Sequence, residues 1–238
     1  MFEGVKGLLF DYGGTLDTDG RHWAPVLWEA YQHACVPVSY EQFRECYVYG
    51  ERALAKSPIV VPTDTFRDVL QKKVVQQFAY LKQHSYWQPG VEDENNALFL
   101  IVDYSYNYVQ RHVEKSREVL QQLRKHYPMV LVSNFYGNVE AVLKDFGLDV
   151  CFQAIVESAV VGVRKPDPAI YQMGVERLGV KTENVLVIGV SYEKDMLPAM
   201  QIGCRTVWLK GEGWTDDAYE DVAVDIVISK IEDLLEVL

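Results

Sequence analysis

In the second half of the chain, short apolar runs alternate with helical patterns, and this alternation restricts the fold more than any other feature. The runs are rich in Val, Ile and Leu, which is typical of strands buried on both faces. They cover residues 129–133, 154–156, 185–190, 206–209 and 225–228, and an earlier run covers residues 5–10. Strands that alternate with helices form a parallel sheet with crossover helices, so an α/β fold is predicted.

Between the first run and residue 129 the sequence shows helical periodicity and no strand pattern. Four helices are predicted there, over residues 23–35, 39–56, 63–85 and 92–112, and a fifth helix over residues 115–127 leads back to the sheet. We therefore predict an α/β core of residues 1–17 and 114–238, with a four-helix insertion of residues 18–113. Open parallel sheets bind ligands beyond the carboxyl ends of their strands, so a site is expected between the two parts.

Several helices carry boundary signals in the sequence. Ser39 and Gln42 form a capping-box pattern, and Ser229 with Glu232 forms another at the start of the last helix. Asp167 can cap a helix that ends before a glycine at position 179.

The charge of the chain restricts its partners. Its 238 residues include 34 acidic and 23 basic side chains, which gives a formal net charge of -11 at pH 7. Repulsion from nucleic acids and anionic membranes favours a small-molecule substrate, and we expect neither of those two as a partner. The apolar runs are too short to cross a bilayer, and Glu3 and Asp11 argue against a signal peptide, so a cytoplasmic location is predicted. The oligomeric state is left open.

The cysteines give no sign of a metal or disulfide framework. They lie far apart without a C-x-x-C pair, at Cys35, Cys46, Cys151 and Cys204. Reduced, buried thiols are therefore expected.

Polar residues follow the first two predicted strands at the end where a parallel sheet binds ligands. The first strand is followed by Asp11, Gly13, Gly14 and Thr15. A carboxylate there is a candidate nucleophile or metal ligand, and the glycines let the backbone turn closely around a ligand. Ser133 and Asn134 end the second strand, where a hydroxyl and a backbone N–H can bind an anion. A simple turn explains either group equally well.

Two later loops add charged residues. Residues 162–168 read G-V-R-K-P-D-P, and the prolines can hold the ammonium of Lys165 in place. The fourth strand is followed by Glu193 and Asp195 in a first helical turn. A solvated lysine and ordinary helix capping are the simpler interpretations of these two loops. The first loop is followed by Asp17, Asp19, Arg21 and His22. They could line the gap between the core and the insertion, but a solvated hinge is predicted.

The order and spacing of these residues resemble the haloacid dehalogenase (HAD) superfamily of hydrolases. That family carries D-x-D-G-T-L after the first strand, Ser or Thr after the second, a G-x-x-K-P-D-P segment, and G-D-S-x-x-x-D after the fourth. Here the first motif reads D-Y-G-G-T-L and the last reads G-V-S-Y-E-K-D. The resemblance covers nearly the whole chain. It implies a Rossmann-type parallel-sheet core, with the insertion as a type-1 helical cap that closes over the site.

The resemblance also implies roles for individual residues. Asp11 is the nucleophile, which forms an aspartyl intermediate, and Lys165 neutralises charge on it and on the transferred group. The residues that bind substrate oxygens are Ser133, Asn134, Gly14 and Thr15. A magnesium ion is held by Asp11, the carbonyl of Gly13 and Asp195.

Two family acids are absent from the chain. Gly13 stands where the family has its general acid, and Val190 stands where it has a direct magnesium ligand. We therefore predict a hydrolase that uses Asp11 on a small phosphorylated or otherwise activated metabolite, with a weakened magnesium site that Glu193 or Asp195 could complete. Two alternatives stay open: a non-catalytic HAD-fold protein that binds a ligand or partner, and a metal-independent haloacid dehalogenase.

Overall fold

The computed structural model describes residues 3–213 and 223–238. It contains a six-stranded sheet in which every neighbouring pair is parallel, in the order β3-β2-β1-β4-β5-β6. The strands are β1 Gly7–Phe10, β2 Met129–Ser133, β3 Ala154–Glu157, β4 Val185–Gly189, β5 Arg205–Leu209 and β6 Ile226–Ile228. Each predicted run forms one strand, which confirms the α/β prediction.

The central strands are apolar on both faces because both faces of the sheet are covered. Successive side chains of a strand point to opposite faces. Leu8 and Phe10 accordingly belong to one hydrophobic cluster, which extends into the helical insertion, while Leu9 belongs to a second cluster. The continuous apolar runs of the sequence follow from this double burial.

The inserted segment is helical, as predicted. Its helices are α1 Trp23–His33, α2 Tyr40–Lys56, α3 Phe66–Gln83 and α4 Val91–Leu123. Ser39 caps α2 through a capping box with Gln42, in which the two reciprocal hydrogen bonds measure 2.9 and 3.3 Å.

The predicted break between helices 92–112 and 115–127 is wrong, because α4 is a single helix of 33 residues. No glycine or proline interrupts residues 91–123, and a stripe that includes Val109, Val113 and Leu120 is buried along it. The Ser116 hydroxyl donates to the carbonyl of Leu16 at 2.8 Å, which fastens the second half of α4 to the loop after β1. The predicted boundary at residues 113 and 114 lies inside α4, and the division into core and cap stays a prediction.

The remaining helices pack around the sheet. They are α5 Val139–Asp145, α6 Ser158–Val161, α7 Ala169–Leu178, α8 Leu197–Gln201 and α9 Leu234–Val237. Asp167 Oδ1 accepts from the N–H of Ala169 at 2.9 Å, but the N-cap residue of α7 is Pro168, one position later than predicted. The predicted box of Ser229 with Glu232 is wrong: Asp233 accepts from both the N–H and the hydroxyl of Ser229, at 3.1 and 3.3 Å.

Two further expectations concern the cysteines and membranes. All four cysteines are free thiols, but Cys35 is exposed, so the prediction of buried thiols is wrong for that residue. It follows α1 in a turn, where its positive φ of 54° places it outside the helix. Within residues 3–213 and 223–238, no helix has the length and apolar character needed to cross a membrane.

Close packing of α7 on the sheet sets the position of two strand ends. A Cβ atom at Gly174 would stand 2.9 Å from Val132 Cγ2 and 3.0 Å from Leu9 Cδ1. β1 and β2 therefore approach this helix at a distance that only glycine permits.

Gly174→Val is expected to lower the free energy of unfolding by roughly 1–3 kcal/mol, because the added methyl groups overlap Leu9 and Val132. Chemical denaturation measures the change. The exposed Glu176→Val on the same helix is the matched control and should cost much less. Equal losses in the two variants would contradict the packing argument.

Candidate active site

The register of the sheet brings three loops to one edge. Phe10 lies opposite Leu131 of β2 and Ile188 of β4, so the chain leaves these three strands at nearly the same level. Asp11 is the first residue beyond β1, and Val190 is the first beyond β4. The residues selected by sequence therefore meet at the carboxyl edge of the sheet.

A buried lysine joins two of the predicted site carboxylates. Lys165 Nζ lies 2.5 Å from Asp11 Oδ1 and 2.7 Å from Asp195 Oδ1. The Thr15 hydroxyl donates to Asp11 Oδ2 at 2.8 Å. Lys165 and Asp195 are 3% and 1% exposed, so the three charges interact out of contact with bulk water. The simpler interpretation of Lys165 as a solvated lysine is therefore excluded.

Asp195 is held by groups other than the lysine. The Tyr171 hydroxyl donates to its Oδ1 at 2.7 Å, and the N–H of Ser191 donates to its Oδ2 at 2.9 Å. Its side chain passes so close to Gly189 that a Cβ there would stand 2.6 Å away. Sequence analysis missed Tyr171, because its position on the apolar face of α7 indicated only a core residue.

Asn134 positions Lys165 through the backbone. Its side-chain Oδ1 accepts from the N–H of Lys165 at 2.9 Å, and its Nδ2 donates to the Lys165 carbonyl at 3.1 Å. Ser133 is buried at the end of β2. The binding of substrate oxygens by Ser133, Asn134, Gly14 and Thr15 stays a prediction.

Burial alters the protonation of this cluster. Desolvation raises the pKa of Asp11 to about 6, and the charge of Asp195 adds to the rise, while Lys165 and Thr15 oppose it. Burial acts to lower the pKa of Lys165, but the two carboxylates outweigh it, and the pKa lies above its ordinary value. The lysine therefore stays positively charged.

The segment after the first loop is not the solvated hinge that was predicted. Asp17 is 1% exposed. Its Oδ1 accepts from the N–H of Gly14 at 2.6 Å, and its Oδ2 accepts from Trp23 Nε1 at 2.9 Å. One carboxylate thus connects the loop that carries the nucleophile candidate to the first helix of the insertion.

The other three members of this segment are also engaged. Asp19 Oδ1 accepts from the N–H of Ile231 at 2.7 Å, and Arg21 pairs with Glu29 at 2.6 Å. His22 Nδ1 accepts from the N–H of Ala24 at 3.1 Å and caps α1. The N-cap position of His22 just before α1 is the signal that could have corrected the prediction.

The arrangement does not fit a magnesium ion. Both oxygens of Asp11 and both oxygens of Asp195 already accept hydrogen bonds or ion pairs. Val190 packs beside Gly14, where a Cβ would meet its Cγ1 at 2.8 Å, and Glu193 is exposed. Among the described residues, no group of three or more His, Cys, Asp or Glu side chains is arranged to hold a metal. Neither Glu193 nor Asp195 replaces the absent acid here.

Asp17→Asn is expected to change the pH dependence of stability. Burial raises the pKa of Asp17 to about 7 from 3.8, so its contribution is present below about pH 4 and is lost as the pH rises through 7. The stability of the native chain relative to Asp17→Asn should fall over this range, by at most about 1.4 kcal/mol per pH unit. Urea denaturation at several pH values measures the difference. A difference independent of pH would contradict the shift.

Comparison with known proteins supports the family suggested by the motifs. A family model described as haloacid dehalogenase-like hydrolase matches residues 5–203. The chain is 41% identical over 75 residues to "Haloacid dehalogenase-like hydrolase domain-containing protein 3" of Danio rerio, which is 32% of this chain and 31% of that protein. It is 32% identical over 133 residues to "Glyceraldehyde 3-phosphate phosphatase" of Pyrococcus furiosus, which is 54% of this chain and 55% of that protein.

These matches span between about a third and just over half of the length of the two relatives. A crystal structure described as a dehalogenase aligns with 100% of this chain and 99% of its own, with a TM-score of 0.68 and 19% identity. That structural similarity establishes the shared fold, which is the parallel-sheet fold described above. With the family match over most of its length, the chain belongs to the haloacid dehalogenase-like hydrolases.

Proposed function

We propose that the chain is a hydrolase that uses Asp11 as a covalent nucleophile on a small phosphorylated or otherwise activated metabolite. The observation that carries the proposal is the contact of 2.5 Å between Lys165 Nζ and Asp11 Oδ1 at the carboxyl edge of the sheet. A carboxylate held between an ammonium and a hydroxyl is fixed in orientation, which favours attack on a bound substrate.

The proposed reaction has two steps. In the first, an Asp11 oxygen forms a bond to the electrophilic phosphorus or carbon, and the leaving group departs with the electron pair of the broken bond. In the second, water cleaves the aspartyl ester or acyl phosphate, which yields the alcohol or inorganic phosphate, the free carboxylate and one proton. Asp11 is thereby regenerated.

Lys165 supports this reaction electrostatically. Its ammonium offsets the charge of Asp11, which would otherwise repel an anionic substrate. Asp195 and Asn134 act through the lysine: Asp195 accepts from the ammonium at 2.7 Å, and Asn134 binds the lysine backbone. These two are positioning residues in the proposal.

The leaving group is expected to be one that departs as a stable anion. Gly13 offers no proton donor where the family has an acid, and general acid catalysis typically contributes about 10²–10⁴ in rate. A substrate whose leaving group needs no proton avoids that loss.

A metal-independent haloacid dehalogenase is the second candidate. It is favoured by one observation, that Val190 places an apolar side chain directly after β4, where the family has a magnesium ligand, and Glu193 nearby is exposed. Displacement of a halide by Asp11 requires neither neutralisation of a phosphate nor a proton for the leaving group.

Asp11→Asn is expected to reduce turnover by roughly 10³-fold or more, because the amide is a poor nucleophile. The assay uses phosphate esters, acyl phosphates and 2-haloacids, each with Mg²⁺ or with EDTA. Asp93→Asn at the exposed start of α4 is the matched control, with the same chemical change outside the cluster around Asp11. Turnover that resists EDTA supports metal-independent chemistry. A folded protein with no turnover on any substrate supports the non-catalytic alternative.

The double variant Gly13→Asp with Val190→Asp is expected to create or sharply raise Mg²⁺-dependent phosphatase activity. A Cβ at Gly13 meets nothing within 4 Å, and the Asp side chain is no larger than the Val190 side chain that it replaces. The two acids supply a proton donor and a hard oxygen ligand. Phosphate release with and without EDTA measures the effect. No gain in a folded variant would mean that other parts of the site exclude the metal.

A further inference from the structure

A closed series of contacts joins the loops of the sheet edge to the helical insertion. On one side, Gly14 binds Asp17, and Asp17 binds Trp23 of α1. Trp23 lies beneath Lys73 of α3, whose Nζ is 5.9 Å from the centre of the indole ring.

The series returns to the sheet through α2. Lys73 Nζ lies 2.6 Å from Glu51 Oε1, and the Tyr136 hydroxyl donates to Glu51 Oε2 at 2.7 Å. Tyr136 lies two residues beyond Asn134, which binds Lys165. We call this closed series the contact ring. It has one lysine, Lys165, beside the nucleophile candidate and a second, Lys73, on the side of the insertion.

Lys73 has more hydrogen-bonding capacity than its surroundings use. Its side chain is 9% exposed, and Glu51 Oε1 is the one oxygen recorded within ion-pair distance in the described part of the chain. Its other close neighbours are the rings of Trp23 and Tyr136, at 5.9 and 5.8 Å from Nζ. An ammonium has three N–H donors, and aromatic faces satisfy them only weakly.

The charge of Lys73 persists despite burial. Desolvation acts to lower its pKa, but the Glu51 carboxylate outweighs it, and the pKa lies above the ordinary value. An ammonium that makes one ion pair and is partly exposed keeps N–H donors that a further oxygen can accept from. It is therefore suited to bind an oxyanion.

The geometry points to Lys73 as a specificity residue that binds a second anionic group of the substrate, a carboxylate or a phosphate separate from the reacting group. This inference rests on the proposed function, because the contact ring surrounds a substrate only if Asp11 faces one. Glu51 and Tyr136 hold the ammonium in place between turnovers. An oxyanion then binds to the donors that Glu51 leaves open.

The test is a measurement of affinity for paired probes on the full chain. Phosphoglycolate is compared with ethyl phosphate, and succinate with butyrate, by titration calorimetry in the Asp11→Asn background, where no probe is consumed. The members of each pair have nearly the same size and share one anionic group, while only the first member carries a second. The first pair tests a phosphate at Asp11 and the second tests a carboxylate there.

The second anionic group is expected to improve affinity by about 10–100-fold, the range of a charge-assisted hydrogen bond. Lys73→Met should reduce that ratio to about 1. Lys72→Met, one residue away on α3 and paired with Asp64, is the matched control and should keep the full ratio. The double variant Lys73→Met with Glu51→Gln removes the unpaired carboxylate, and should lose the ratio while keeping the cluster neutral.

The inference is overturned if the affinity ratio of the probes is the same with Lys73→Met as with Lys73. It is also overturned if neither probe pair shows an affinity ratio above 1 in the protein that keeps Lys73. Either result leaves the ion pair with Glu51 as a structural link between α2 and α3. The proposed function is tested separately by the turnover of Asp11→Asn against the native chain. If turnover depends on Asp11 but the affinity ratio of the probes does not depend on Lys73, only this inference is contradicted.

Discussion

A single buried ammonium holds together the functional edge of the sheet. Lys165 lies between the carboxylates that follow β1 and β4, in a loop that Asn134 fastens to the end of β2. Each carboxylate is tolerated out of water because the lysine and a further donor neutralise or solvate it. Loss of the lysine would leave two buried carboxylates without a cationic partner, which is strongly destabilising. The same interaction therefore supports the fold at this edge and the chemistry proposed for it.

The helical insertion depends on this edge through Asp17. Burial raises the pKa of the Asp17 carboxylate to about 7 and disfavours its charged form, so burial of this group does not by itself favour the fold. It nevertheless bridges Gly14 of the nucleophile loop and Trp23 of α1. The position of the insertion and the shape of the loop around Asp11 are thus determined together.

The sheet and the edge at which the candidate site residues meet were predictable from sequence, while the neighbours of those residues were not. Continuous apolar runs indicate strands buried on both faces, and parallel strands bring Asp11 and Lys165 to one edge by topology. The break assigned near residue 113 failed because α4 contains no breaker there and its buried stripe continues. The burial of Asp17 is not predictable from its polar neighbours in sequence, because it depends on the packing of Trp23, which lies on another element. Tyr171 and Lys73 looked like ordinary helix residues, since only the fold brings them to charged partners.

The length of α4 has a consequence for movement between the two parts of the protein. A helix of 33 residues is about 50 Å long. Its first half packs with the other helices of the insertion, and its second half is clamped to the core by buried residues and by the bond from Ser116 to Leu16. The insertion and the sheet are therefore joined through one continuous helix, so any change in the position of the insertion relative to the sheet has to bend or rotate α4.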